Sequence, residues 1–289
     1  MSGNSAFEQN KAEAENGNAA AQYNLGLCYA KGQGVTQDEA EAAKWYRKAA
    51  EQNHVQARFR LGFCYANGQG VVKDEAEAVK WWRKAAEQNH VQAQLRLALC
   101  YGSGQGVAKD GAEAVKWYRR GAEQNCADAQ FFLGLCYAGG RWVVKDEAEA
   151  VKWCRRAAEQ NLAMAQYNLG SCYAGGRAVV KDDAEAVKWY RKAAEQNLAM
   201  AQYNLGSCYA DGRGVVKDEA EAVKWCHKAA EQNLADAQFT LGCCYADGRG
   251  VRKDETEAVR WYRKAAEQNY PRAQTNLGRS YNKGLVLLC

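Results

Sequence analysis

Residues 182–217 read DDAEAVKWYRKAAEQNLAMAQYNLGSCYADGRGVVK, and residues 218–253 repeat the pattern as DEAEAVKWCHKAAEQNLADAQFTLGCCYADGRGVRK. The whole chain aligns with itself at an offset of 36 residues, without insertion or deletion. A fixed period of this length is typical of proteins in which each supersecondary unit stacks on its neighbours. The pattern predicts eight 36-residue units, of which the first, at 2–37, is degenerate. The other seven start at Asp38, Asp74, Asp110, Asp146, Asp182, Asp218 and Asp254.

The first half of each unit predicts an amphipathic helix that begins at its aspartate. Asp74 is followed three residues later by Glu77, a capping-box pattern in which each side chain satisfies a backbone amide of the other residue. The helix is expected to end at an asparagine such as Asn89, because asparagine tolerates the left-handed conformation that stops a helix.

The second half predicts another helix, with the pattern Ala-x-x-x-Leu-Gly-x-x-Tyr and a glycine at its end. Pro271, the single proline of the chain, fits the first turn of this helix, where a missing N–H is tolerated. Alanine, leucine and tyrosine form one apolar stripe. The glycine beside that stripe, Gly62 for example, costs about 1 kcal/mol of helix propensity, so we expect it to allow a neighbouring helix to approach closely.

Composition and charge exclude several classes of protein. With 47% hydrophobic and 25% charged residues, the chain is too well mixed to be disordered. Its net charge of +5 does not demand a nucleic acid or an anionic membrane as partner. No segment approaches 18 apolar residues, and the start MSGNSAFEQNKAEAENG lacks the apolar core of a signal peptide. We therefore expect a cytoplasmic protein without membrane insertion, with delivery to a host cell by another route as the alternative.

Cysteine and histidine placement argues against disulfides, metals and catalysis. Equivalent positions in stacked units lie on the order of 10 Å apart, whereas a disulfide needs Cα atoms within about 7 Å. His54, His90 and Cys126 share a column, and the same spacing separates them too widely to bind one metal ion. No catalytic or cofactor motif can be assembled, so no enzyme activity, cofactor or metal is predicted. Seven of the 12 cysteines occupy one column: Cys28, Cys64, Cys100, Cys136, Cys172, Cys208 and Cys244.

The motif A-x-x-x-L-G-x-x-Y-x-x-G-x-G-V-x-x-D, followed by A-x-x-W-Y-x-K-A-A, resembles the Sel1-like repeat (SLR) signature over essentially the whole chain. The resemblance implies an all-α fold, a right-handed superhelix (solenoid) of antiparallel helix pairs with the first helix of each pair on the concave side. It also implies an adaptor, because most family members, many of them bacterial, hold other proteins together. We therefore expect one solenoid domain over 1–289 that acts as a non-catalytic protein-interaction scaffold.

A cysteine-rich branch of the same family gives the alternative function, a hydrolase similar to a β-lactamase. In that branch a cysteine near the end of the first helix pairs with one early in the second helix. The corresponding positions here hold alanines such as Ala50 and Ala57. The disulfide framework of the branch is therefore missing, and the scaffold is favoured.

The first helix also predicts a partner-binding surface. Glu41, Trp45, Lys48 and Gln52 follow the spacing i, i+4, i+7, i+11 and form a stripe beside the buried arc. Tryptophan is a favoured anchor for protein partners, although the same rings could instead wedge between helices as core. Basic residues and nearly identical units suit an extended peptide, acidic or repetitive, rather than a nucleic acid. The candidate residues are Trp45, Lys48, Gln52, Trp81, Lys84, Trp117, Arg120, Trp153, Arg156, Trp189, Lys192, Trp225, Lys228, Trp261 and Lys264.

The last residues, LVLLC at 285–289, are apolar where a further polar-faced helix would begin. The end of a repeat array needs a polar outer face. We expect this segment either to fold back over the last helix pair or to meet a second molecule. The protein is accordingly predicted to be a monomer or a C-terminal end-to-end dimer.

Overall fold

The computed structural model describes residues 2–282, and side chains from residue 7 onward. This part of the chain contains sixteen α-helices and no strand, divided between two compact units, Met1–Lys145 and Asp146–Cys289. The first unit contains α1 (Ser2–Glu15), α2 (Ala19–Lys31), α3 (Glu39–Glu51), α4 (Val55–Asn67), α5 (Glu75–Glu87), α6 (Val91–Ser103), α7 (Gly111–Glu123) and α8 (Ala127–Gly139). The second contains α9 (Glu147–Glu159), α10 (Ala163–Gly175), α11 (Asp183–Glu195), α12 (Ala199–Asp211), α13 (Glu219–Glu231), α14 (Ala235–Asp247), α15 (Glu255–Glu267) and α16 (Pro271–Asn282).

These helices confirm the predicted all-α fold of solenoid-like helix-pair repeats. Each predicted 36-residue unit supplies one odd-numbered and one even-numbered helix, and consecutive helices pack together within each compact unit. No helix in the described part of the chain combines the length and apolar character needed to span a bilayer. The segment 285–289, and with it the predicted choice between fold-back and dimer, lies outside the described residues.

The first helices begin at their aspartates as predicted, but only half of the capping box forms. Asp74 Oδ1 accepts the N–H of Glu77 at 2.9 Å. The reciprocal bond is not made, because the N–H of Asp74 already donates to the carbonyl of Tyr65 at 2.9 Å. Glu77 binds Lys80 instead, at 2.5 Å. The backbone bond to Tyr65 therefore ties the start of α5 to the preceding helix α4.

The predicted helix ends are confirmed. Asn53 follows α3 with φ of +66°, and the six equivalent asparagines also adopt positive φ: Asn89, Asn125, Asn161, Asn197, Asn233 and Asn269. Gly68 caps α4 in the left-handed conformation, with φ of 72°. Pro271 is the first residue of α16.

Close helix approach is confirmed at most of the described mid-helix glycines, but not at Gly278 in α16, where a Cβ would meet no other atom within 4 Å. A Cβ atom built on Gly62 would lie 2.4 Å from Nε1 of Trp82 on α5. At Gly206 the nearest atom would be the carbonyl oxygen of Ala222, at 3.0 Å. The approach is looser there because Cys226 stands where α5 has Trp82.

A buried glutamine joins three helices in most units, a contact that the helical pattern of the sequence did not predict. Gln94 on α6 is fully buried and donates to the carbonyl of Ala86 on α5, at 3.2 Å. Its Oε1 accepts from Gln124, which follows α7, at 2.8 Å. The signal was present in the sequence, because glutamine follows the invariant alanine in every unit except one, where Arg58 replaces it.

One loop departs from the repeat. Trp142 adopts a positive φ of 67°, at a position that is glycine in most other units. Its ring occupies a notch left by two glycines, since a Cβ on Gly111 would lie 2.0 Å from the ring and a Cβ on Gly102 2.9 Å from it. The Arg141 guanidinium lies 4.1 Å from the centre of the same ring. Three departures from the repeat pattern thus meet at one contact.

Candidate protein-interaction surface

The tryptophan column of the first helices lies mostly in the core. Trp45 and Trp81 are half-buried, whereas the other five rings are at least nine-tenths buried: Trp117, Trp153, Trp189, Trp225 and Trp261. Some of these rings are also fixed by a hydrogen bond. The indole N–H of Trp189, for example, donates to the carboxylate of Glu185 at 3.0 Å. These five rings therefore pack between helices as part of the core, and they do not present an exposed edge to a partner.

A cation covers each of these indoles. The basic residue three positions after the tryptophan lies over the ring, at 3.9 Å from the ring centre for Lys48 on Trp45 and 4.9 Å for Arg156 on Trp153. These distances fall within the range of cation–π attraction. We call these seven residues the cation row: Lys48, Lys84, Arg120, Arg156, Lys192, Lys228 and Lys264.

The neighbouring basic columns already have partners within the fold. Lys44 pairs with Glu41 at 2.6 Å, and the equivalent lysines and Arg260 repeat this pair along the odd-numbered helices. Arg83 donates to the hydroxyl of Tyr101 at 2.5 Å. Across the described residues, no member of the cation row forms an ion pair with a carboxylate. The charge of Arg83 also stays without a counter-charge, because a tyrosine hydroxyl is neutral. The cation row is distinguished by the tryptophan ring that lies under each of its cations.

Clefts open beside the cation row. In the first unit a cleft of about 490 Å³ is lined by Trp45, Lys48 and Val71, together with other residues of α3 and the loop after α4. In the second unit the equivalent cleft, of about 440 Å³, is lined by Trp189 and Lys192 and by the corresponding loop. A similar cleft, lined by apolar residues, by cations and by glutamates such as Glu41 and Glu185, therefore occurs in both compact units.

Gln52, the remaining member of the predicted stripe, is engaged within the fold. Its amide donates to Oε1 of the buried Gln22 at 2.8 Å, and the glutamines equivalent to it make the same bond in other repeats. This bridge explains the glutamine in structural terms, and it leaves the cations as the main polar groups that the stripe offers to a partner.

The described thiols and histidines are built into the fold. Eleven cysteines are free, and burial raises the pKa of Cys154 and Cys226 to about 12, so these two thiols stay protonated at neutral pH. Nδ1 of His54 accepts the N–H of Ala57 at 3.2 Å and caps α4, and His90 caps α6 in the same way. Residues 2–282 contain no group of three side chains placed to bind a metal ion.

Comparison with protein families identifies the repeat. The Sel1 repeat matches eight segments, at residues 19–54, 55–90, 91–126, 127–162, 163–198, 199–234, 235–270 and 271–287. The chain belongs to the Sel1 repeat family. Each complete match pairs an even-numbered helix with the odd-numbered helix that follows, so the family unit is offset from the unit that begins at Asp38. Sel1 repeat proteins generally serve as protein-interaction scaffolds.

Solved structures of other Sel1 repeat proteins share this fold. A protective antigen present in uropathogenic Escherichia coli strains, with an SLR fold, has a TM-score of 0.92 and 40% identity, over 96% of this chain and 60% of the other. A Sel1 repeat protein from Oxalobacter formigenes has a TM-score of 0.78 and 35% identity, over 94% and 79% of the two chains. The chain thus spans less than two thirds of the E. coli protein. Comparison with curated proteins found no match.

Proposed function

We propose that this Sel1 repeat protein is a non-catalytic scaffold that binds an extended, acidic segment of a partner protein along its cation row. The observation that carries the proposal is the difference between two basic columns on the same helices. Lys224 on α13 is paired with Glu221 at 3.0 Å, whereas Lys228 lies over Trp225 without a carboxylate partner. A row of cations without counter-charges is complementary to carboxylates on a partner.

The indoles make the cation row a better binding surface than ordinary surface lysines. A lysine held over a ring has already lost part of its side-chain freedom, so it loses less on binding. Each exposed ion pair contributes only about 0.2–1 kcal/mol. Affinity therefore depends on how many cations one ligand contacts at once, and it should fall as salt screens the charges.

The hydrolase alternative finds no support in the described residues. Ala50 and Ala57, which stand where the cysteine-rich branch has its disulfide, are both fully buried in the core. The thiols with the strongest burial, at Cys154 and Cys226, have their pKa raised rather than lowered. A nucleophilic thiol needs the opposite shift.

The test is a titration of the full chain with a labelled glutamate-rich peptide of about 16 residues, followed by fluorescence anisotropy at low salt. One variant replaces four members of the cation row by glutamine: Arg156, Lys192, Lys228 and Lys264. The matched control replaces the glutamate-paired cations of the same four helices: Lys152, Lys188, Lys224 and Arg260. Both variants lose the same charge from α9, α11, α13 and α15.

We expect the cation-row variant to bind at least about tenfold more weakly, from four pairs of modest strength, and the control to stay within about threefold of the unmodified chain. Equal losses in the two variants would show that bulk charge, not the row, attracts the peptide. Absence of binding to the unmodified chain would refute the proposed function itself.

A further inference from the structure

We propose that the even-numbered helices of the first compact unit carry a second binding surface, which takes a segment of a partner protein in which apolar side chains stand next to carboxylates. The surface consists of two clefts that share the Phe63 ring, with Arg60 beside the first cleft and Arg96 beside the second. Neither cleft includes a member of the cation row. Binding here is therefore separate from binding along the cation row and does not depend on the proposed function.

The two clefts are formed by equivalent positions of successive repeats. The first, of about 230 Å³, is lined by residues of α2, α3 and α4, and the second, of about 240 Å³, by residues of α4, α5 and α6. Leu27 lines the first cleft, Leu99 lines the second, and Phe63 lines both. Each cleft is smaller than the pockets of about 300–1,000 Å³ that hold small-molecule ligands. Two adjoining clefts of this size suit the side chains of one polypeptide.

The apolar side chains of these clefts belong to a column that differs between the two compact units. Leu135 is 42% exposed, and the other three apolar residues of the column are half-buried. The core leucine of the same helices is fully buried in both units, so helix packing does not require an apolar side chain in this column. A contiguous apolar patch that the fold leaves exposed marks an interaction site. The column holds Leu27, Phe63, Leu99 and Leu135 in the first unit, and Ser171, Ser207 and Cys243 in the second.

Two arginines follow the same division between the units. Arg60 and Arg96 are exposed, and neither forms an ion pair within the part of the chain that the structure describes. The Arg96 guanidinium lies 5.0 Å from the centre of the Phe63 ring, within the range of cation–π attraction. Its charge is thus held beside the apolar column. The equivalent positions of the second unit hold Asn168, Asn204, Thr240 and Asn276.

Each cleft also contains a glutamate, and in the second cleft that glutamate already has partners. Glu75 is paired with Lys73 at 3.2 Å and accepts from the side chain of Gln105 at 3.1 Å. Arg96 therefore remains as the cation without a counter-charge in this cleft. A guanidinium can donate two parallel hydrogen bonds to one carboxylate, so an acidic side chain of a partner is its natural complement.

The first cleft has the same balance of charge. Lys31 and Arg60 line it together with one carboxylate, Glu39, so one positive charge is in excess. The floors of the clefts are aromatic, with Tyr46 in the first and Trp82 in the second. Tryptophan, tyrosine and arginine are the residues that most often anchor protein interfaces. A segment with both apolar and acidic side chains uses both properties of the clefts, whereas a purely acidic segment leaves the apolar column exposed.

A library of random peptides of about 12 residues, displayed on phage, tests the surface. It is first depleted on a variant of the full chain and then selected on the unmodified chain. The variant carries four substitutions: Arg60→Asn, Phe63→Ser, Arg96→Asn and Leu99→Ser. We expect the variant to fold, with unchanged thermal unfolding, because each replacement is the residue found three repeats later in the second unit: Asn168, Ser171, Asn204 and Ser207.

We expect the enriched sequences to combine phenylalanine, tryptophan or leucine with a neighbouring aspartate or glutamate. Synthetic copies should bind the unmodified chain at least about tenfold more tightly than the variant, measured by fluorescence anisotropy, because anchor residues carry most of the affinity of an interface. The matched control, Lys44→Gln with Lys80→Gln, removes the same charge from glutamate-paired lysines and should stay within about twofold. Enriched peptides without an acidic residue, equal binding to the four-substitution variant, or no enrichment would overturn the proposal.

A second variant, with only Arg60→Gln and Arg96→Gln, separates the charge from the apolar contact and leaves the apolar column in place. We expect it to bind the enriched peptides about three- to tenfold more weakly. Peptides with amides in place of their carboxylates should lose a similar factor on the unmodified chain and lose nothing further on this variant, because both changes remove the same pairs. Independent losses would show that the arginines do not contact the carboxylates, and would contradict the proposed ligand.

Two further measurements test other uses of the clefts. Light scattering should give the same mass for the unmodified chain and the four-substitution variant. A dimer that becomes monomeric in the variant would show that a second copy of the chain covers the clefts, and the proposal would fail. The glutamate-rich peptide used for the cation row should bind the variant as tightly as it binds the unmodified chain. A loss of about tenfold there would mean that the two surfaces are not separate.

Discussion

Three even-numbered helices of the first compact unit, α2, α4 and α6, have a side-chain cap at the N-terminus, whereas α8 of the same unit and α10, α12 and α14 of the second have none. His54 and His90 stand at the N-termini of α4 and α6 and accept a backbone N–H through Nδ1. Leu162 and Leu198 occupy the same position before α10 and α12, and neither helix has a side-chain cap. The histidine caps are therefore contacts that only two repeats of the first unit make.

Two other residues of the first unit that depart from the repeat also make contacts of their own. Arg58 replaces the buried glutamine and still donates to the carbonyl that the glutamine would reach, Ala50 O, at 3.1 Å. Trp142 replaces a loop glycine and fills a notch that depends on Gly102 and Gly111. A repeat thus tolerates a large change where a second change nearby compensates for it.

The largest effect is expected at the Trp142 notch. Gly111→Glu introduces the residue found at the equivalent position Glu75, which would normally improve a helix start. Here its Cβ would lie 2.0 Å from the Trp142 ring, so the ring must leave the notch. We expect a loss of about 3 kcal/mol in the free energy of unfolding, measured by urea denaturation of the full chain.

The control is the double variant Gly111→Glu with Trp142→Gly, which restores the arrangement of Glu75 and Gly106 in the preceding repeat. We expect its stability to return to within about 1 kcal/mol of the unmodified chain, giving a coupling of about 2–3 kcal/mol between the two positions. Additive losses in the double variant would show that the contact between Trp142 and Gly111 does not carry the effect.

The sequence was sufficient for many of the features that recur with the period, although not for the bonds of the buried glutamine. Helix starts, the left-handed asparagines and the close approach at Gly62 each follow from a residue type at a fixed place in the repeat. Helical spacing also placed Trp45 and Lys48 on one stripe, but it did not show that Lys48 lies over the indole. That contact depends on the direction of the side chain and on the neighbouring helix, and the 36-residue repeat of the sequence shows neither of them. A tryptophan occurs at the position of Trp142 in one repeat only, so no recurring pattern could indicate which residues contact it.

The glycines of the even-numbered helices give the next largest effect. Gly62→Ala places a methyl group 2.4 Å from the Trp82 ring, and the overpacking outweighs the gain of about 1 kcal/mol in helix propensity. We expect a net loss of about 1–2 kcal/mol by urea denaturation. Gly206→Ala in the second unit is the matched substitution, and its stability should change by less than about 0.5 kcal/mol. Equal losses at the two positions would show that Trp82 does not set the tighter packing at Gly62.

A gain in stability is expected from Arg58→Gln. Arg58 is nine-tenths buried, and this burial lowers the pKa of its guanidinium, so the folded state bears the cost of a desolvated charge. Glutamine makes the same bond to the carbonyl eight residues earlier in other repeats. We expect the free energy of unfolding to rise by about 1 kcal/mol. The reverse substitution in the next repeat, Gln94→Arg, should lower the free energy of unfolding. If both variants are less stable than the unmodified chain, the hydrogen bonds of Arg58 stabilise the fold by more than its burial costs.

The smallest effect concerns pH and the histidine caps. Burial lowers the pKa of His54 and His90; each imidazole stacks on an aromatic ring, Tyr23 or Phe59, with its Nδ1 engaged as an acceptor. The unfolded chain therefore binds protons near pH 6.5 that the folded chain takes up only at lower pH. Stability should be complete above about pH 7.5 and fall as the pH drops through 6.5, by about 0.5 kcal/mol per histidine.

The measurement is the unfolding free energy at intervals between about pH 7.5 and pH 5.5, compared with a variant carrying His54→Asn and His90→Asn. Asparagine caps a helix without titrating, as Asn18 does for α2 by accepting from Ala21 at 2.9 Å. The variant should keep its stability at neutral pH and lose less of it on acidification. Parallel profiles for the unmodified chain and the asparagine variant would mean that the acid sensitivity of the first unit arises elsewhere than at its histidine caps.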